Sequence, residues 1–129
     1  MPGCNDINKP DIIIKDAHLY LPLKGAEMAA GYLRLENNQT KKIVISSIEC
    51  RKIKASLHET IVDSEGVMKM KKLEMFVVDP GSHVNFMPGG KHVMFSGLRE
   101  FEESVLTCAF SSNTGVEFPF SFEVLINER

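Results

Sequence analysis

What this chain has little of narrows it first. Its 129 residues include three cysteines, at positions 4, 50 and 108, and none forms a Cys-x-x-Cys pair. That spacing argues against a thioredoxin-like centre and a zinc ribbon. An excess of one charge is also missing: 15 basic and 17 acidic residues, mixed along the chain, leave a net charge of −2. Nothing there marks a surface for nucleic acid or an anionic membrane. No apolar run approaches the roughly 20 residues that a membrane-spanning helix needs. Gly89-Gly90 follows a proline and is too short to cradle a phosphate. No Ser-His-Asp or Cys-His arrangement can be placed, so an enzyme is the least supported class. The opening Met1-Pro2-Gly3-Cys4 lacks the charged and apolar regions of a targeting segment. Gly3-Cys4 does match the end of a lipoprotein cleavage box. The expectations for Cys4 are therefore a lipid-anchored native form or a free thiol in a loose tail.

What is present is β patterning. Residues 1–10 show no periodicity and read as a flexible tail, and residues 11–129 read as one β domain. Ile12 to Leu21 is extended, broken from the next run by a loop over Pro22 to Ala26. Ala30 to Glu36 alternates, and Asn37-Asn38-Gln39 makes a turn. Ile43 to Ile45 and Ile48 to Leu57 continue with β-branched residues. Further strands are predicted over Val67–Leu73, His83–Met87, Val93–Leu98, Val105–Phe110 and Val116–Ile126. Turn signals at 63–66, 79–82 and 88–90 separate them. No stretch carries an apolar stripe of helical period. Short strands with regular turns predict an all-β sandwich or barrel. Cys50 and Cys108 fall in predicted strands and read as buried thiols, with a disulfide open to them in an oxidising compartment.

Four side chains stand out against this background: His58, Met70, His92 and Met94. Ten residues separate Glu59 from Met70, and twenty-one separate Met70 from His92. Imidazole is a borderline donor and thioether a soft, uncharged one, a set that suits Cu(I) and not the oxygen-seeking cations. Zinc takes thiolate, imidazole or carboxylate, so methionines argue against it. On strands, residues two apart share a face, which pairs Met68 with Met70 and His92 with Met94. Met68 is a further candidate ligand. His58 is expected to close its strand, so that all three pieces lie near strand ends. Met28, Met75 and Met87 fall outside the pattern and are assigned to packing or surface, and His18 and His83 to the surface. Glu59, Asp63 and Glu65 read as a solvated acidic loop or as a face for a partner's basic patch.

These residues resemble the signature of the periplasmic Cu(I) chaperones of the PCuAC type: His-Met, ten residues, Met, twenty-one residues, His-x-Met. Glu59 stands here in place of the first Met. Pro88-Gly89-Gly90-Lys91-His92-Val93-Met94 and Ala29-Ala30-Gly31-Tyr32-Leu33 extend the likeness over roughly residues 11–126. The resemblance implies a cupredoxin-like Greek-key β-barrel, Cu(I) as cargo, and export to the periplasm. It further implies delivery of Cu(I) to the CuA centre of cytochrome oxidase, through oxidase subunit II or a Sco-type thioredoxin-like protein. A monomer is expected. Copper storage or resistance and a metal-free interaction domain are the alternative functions. A blue-copper electron carrier would need a Cys thiolate, and none lies in the His-x-Met segment.

Overall fold

The computed structural model describes residues 11–21, 27–99 and 101–126. The expected tail over 1–10, Cys4 within it and the loop over 22–26 lie outside these residues. The described residues form ten strands and no helix. They are β1 (Ile12–Leu21), β2 (Ala29–Asn37), β3 (Ile43–Cys50), β4 (Lys54–Val62) and β5 (Met68–Lys72), then β6 (Phe76–Val78), β7 (His83–Phe86), β8 (Lys91–Ser96), β9 (Val105–Ser112) and β10 (Glu117–Ile126). The all-β expectation holds.

All ten strands join one sheet in the order β5-β4-β8-β7-β2-β1-β10-β9-β3-β6, with β2 also pairing to β8. β3, near one end of that order, packs against β4 at the other, so the sheet curls into an open barrel. The curl encloses an aromatic core in which Phe95, Phe110 and Phe122 are fully buried. Burial follows the period of two that strands impose: in β2 the odd-numbered residues point in and the even-numbered ones lie at the surface.

The Asn37 side chain enters the interior and is satisfied where it shapes a turn. Asn37 is fully buried. Its Nδ2 donates to the carbonyls of Val78 and Lys41, at 2.9 and 3.0 Å, and its Oδ1 accepts from the Gln39 amide. These bonds set the turn expected over 37–39. Cys50 and Cys108 face each other across β3 and β9 and are joined as a disulfide, not as two buried thiols.

Three features differ from expectation. The run Ile48–Leu57 is not continuous: it breaks at Arg51–Ile53, where Lys52 takes a positive φ of 67° and the chain turns from β3 into β4. β6 is an additional strand of three residues, paired to β3. Finally, β4 runs on past His58 to Val62. The hairpin is longer because Asp63 closes its turn, with Oδ1 accepting from the amides of Glu65 and Val67, each at 2.9 Å.

Candidate metal centre

The four predicted ligands come from three adjacent strands, β5, β4 and β8. Their register brings the residues together. His58 is directly opposite His92, Ser56 is opposite Met94, and Thr60 is opposite Met70. Cross-strand partners share a face, and so do residues two apart. His58, Met70, His92 and Met94 therefore all lie on one face of the sheet. The other face carries Leu57, Val93 and Phe95 into the core.

Within that face the two imidazoles form one row. Met94 is one row to one side, and Met70 one row to the other. Adjacent strands are about 4.8 Å apart, and diagonal neighbours have backbones about 7–8 Å apart. A methionine side chain, with three rotatable bonds, spans such a gap. The imidazoles lie nearly parallel, with centroids 5.9 Å apart and planes 17° apart. His58 is not at the end of its strand, as expected, but in the middle of β4, and Met70 is in the middle of β5.

The environments of the two histidines differ. His92 is 5% exposed. Its Nδ1 is 3.2 Å from the Gly90 carbonyl, which can only accept, so Nδ1 carries the proton. Nε2 then presents a lone pair, and among the described residues this buried atom has no hydrogen-bond partner. Gly90 in turn accepts from the Thr60 amide at 3.1 Å, which ties the turn before β8 to β4. A carbonyl that fixes one ring nitrogen so that the other can ligate is a common support for metal-binding histidines. His58 is half-buried, with Nε2 2.9 Å from the Ser56 hydroxyl. Its pKa is held below the usual histidine value, first by burial, then by the neighbouring His92 and the Lys72 ammonium. Lys72 stands in the same row, opposite His58.

A cleft of about 540 Å³ opens over this face, lined among others by His58, Met70, Met94, Ser56, Cys50 and Met28. Met70 is 55% exposed, Met94 half-buried. Met68 shares the face of Met70 but points into solvent beyond the cleft, 63% exposed. Met28, expected in packing or at the surface, is exposed and lines the cleft. It is brought in by the pairing of β2 with β8, which places Ala30 opposite Met94. Ser56 is the other neighbour that sequence reasoning missed. Its position two residues before His58 was the available signal.

Among the described residues, no three His, Cys, Asp or Glu side chains are placed to hold a metal. A metal at this face would draw on the thioethers, and an unpartnered buried imidazole nitrogen fits such a role. The acidic residues nearby have other partners. Glu59 pairs with Lys91 at 3.3 Å, and Asp63 with Lys69 at 3.4 Å. His18 packs its ring against Tyr20 and Tyr32, while His83 is exposed on β7.

Comparison with known proteins agrees on the fold. A family model described as "Putative lipoprotein LpqE-like" matches residues 12–123. The apo PCuAC domain from PmoF1 superposes with a TM-score of 0.72 at 16% identity, over 92% of this chain and 96% of that one. The copper-bound PCuAC domain from PmoF2 gives 0.71 at 16% identity, over 92% and 95%. Apo-DR1885 from Deinococcus radiodurans, a solution structure, gives 0.66 at 17% identity, over 92% and 80%. The cupredoxin-like β architecture expected from the resemblance is thereby shown. A search of curated proteins gave no match.

Proposed function

The chain belongs to the LpqE-like family, and from that premise we propose that it is a metallochaperone for Cu(I). It holds one Cu(I) between His58, Met70, His92 and Met94 and gives it up to a partner protein. The observation that carries this reading is His92: its Nε2 is buried without a partner among the described residues, on a face that also bears a second imidazole and two thioethers. That a domain of this fold is known with copper bound supports the choice of metal.

The donor set suits carriage more than catalysis. Imidazole and thioether are neutral, so the bound ion keeps its single charge. An open cleft lets an acceptor reach it. Thiolate adds charge and softness, so a Cys-bearing acceptor holds Cu(I) more strongly and transfer runs downhill with no change of oxidation state. The acceptor on this reading is the CuA centre of oxidase subunit II, or a Sco-type thioredoxin-like protein. The protein acts as a monomer, with residues 11–129 as one unit, outside the cytoplasm and anchored through a lipidated Cys4. The lipoprotein description of the family supports the anchor. Among the described residues no helix is long and apolar enough to cross a membrane.

The test replaces both sulfurs. A Met70→Leu, Met94→Leu variant keeps side-chain volume, so the circular dichroism spectrum and melting temperature should hold while Cu(I) binding collapses in a competition titration. Unchanged binding would sink the site. Delivery is checked by mixing the Cu(I)-loaded protein with a reduced, copper-free CuA domain. Copper that stayed put with acceptor in excess would leave storage as the better role.

A further inference from the structure

Met28 is not accounted for by a four-ligand site. It lies just before β2, two residues from Ala30, which is opposite Met94. It therefore shares the ligand face. It lines the same cleft as His58, Met70 and Met94. Yet it is 56% exposed, so it fills no core. Its backbone is held in place: the Glu27 carbonyl accepts from the Leu98 amide at 3.3 Å, and Ala29 pairs with Phe95. An anchored backbone thus carries a flexible arm with a soft sulfur at the cleft wall. Met75 and Met87 are just as exposed, at 54% each, but neither lines this cleft. Exposure alone does not set Met28 apart; its position does.

We propose that Met28 is an exchange ligand, a third thioether that binds the cargo copper as it enters and leaves the His58, Met70, His92 and Met94 site. This rests on the reading of that site as a Cu(I) centre. On loading, a bond from copper to Met28 Sδ forms as a bond to the incoming donor breaks, and resident ligands then displace Met28. On delivery the order reverses. Copper remains Cu(I) throughout, and a thioether neither gains nor loses a proton. The arrangement answers a difficulty of the site itself. His92 is buried, so an acceptor cannot reach that ligand first. A mobile donor already in the cleft lowers the coordination lost at each step.

The experiment labels all methionine methyl groups with ¹³C in a Cys4→Ser background, which in the unlipidated chain removes a competing thiol, and titrates with Cu(I) without oxygen. Met70 and Met94 should shift fully, and Met28 should shift or broaden in the same titration. Met75 and Met87 should stay still as internal controls. In Met28→Leu, copper loss to bathocuproine disulfonate should slow at least about fivefold while Cu(I) affinity changes less than about threefold, the scale of one contact removed from a barrier. A silent Met28 methyl or an unchanged rate overturns the proposal. So does an affinity loss as large as that of Met70→Leu, which would make Met28 a resident ligand. Silence at Met70 and Met94 as well would overturn the copper site itself.

Discussion

His58 and His92 share a row of the sheet but differ in what holds their rings. Gly90 fixes the proton of His92 on Nδ1. Burial, His92 and Lys72 together depress the pKa of His58. A depressed pKa keeps His58 neutral, and ready to ligate, below the reference value of about 6.5. The part of the acid-induced loss of Cu(I) affinity that comes from His58 should therefore set in below about pH 6.5. Protein stability has a matching sign. Where the folded-state pKa is lowered, the unfolded chain binds the proton first. The metal-free protein then loses stability as pH falls from about 6.5 towards the folded pKa. The His58 C2–H resonance gives the check. It should titrate below the free-histidine value, and Lys72→Gln should move the midpoint upward. A midpoint at or above 6.5 would mean that burial does not govern this ring.

The strands are held in position partly by what β2 leaves out. A Cβ at Gly31 would lie 2.5 Å from Phe95 Cε2 and 3.1 Å from Phe122 Cε1. Both rings are fully buried and meet edge to face with centroids 5.0 Å apart. Phe95 is in β8 with His92 and Met94, so Gly31→Ala strains the strand that carries two ligands. A loss of about 1–3 kcal/mol is expected, as for other overpacked cores, and chemical denaturation measures it. Element scale is also where sequence and structure part company. Alternation in β2 and the turns at 37–39, 63–66, 79–82 and 88–90 were readable, because side-chain period and turn residues are local signals. The break between β3 and β4 was not: Arg51-Lys52-Ile53 contains neither Gly nor Pro, yet Lys52 takes a positive φ. β6 has only three residues, too few to show a period. The spacing of His58, Met70, His92 and Met94 is visible because β4, β5 and β8 all fall within residues 54–96. Met28 is not, because the β2–β8 pairing that brings it near spans more than sixty residues.

At the scale of the molecule, the Cys50–Cys108 disulfide links β3 to β9 across 58 residues. That closed loop contains β4, β5 and β8, and with them His58, Met70, His92 and Met94. β3 also packs against β4 where the sheet curls on itself, so one cross-link anchors the strand that borders a ligand strand. Cross-linking a loop of this length limits the unfolded chain far more than the folded one, a contribution of about 2–5 kcal/mol in small domains. A Cys50→Ala, Cys108→Ala variant should therefore melt well below the parent protein. Its Cu(I) affinity, measured in the cold where it is still folded, should be unchanged, because neither sulfur belongs to the ligand set. The two readouts separate two roles. Lower stability with intact binding makes the disulfide a brace. Lower stability with weakened binding would mean that the curl itself sets the spacing of the ligand strands. Equal melting temperatures would show that the aromatic core alone holds the barrel. Such a brace persists only where thiols are kept oxidised. It therefore belongs with the proposed place of the protein outside the cytoplasm, and growth of the same chain in a reducing compartment should yield the less stable form.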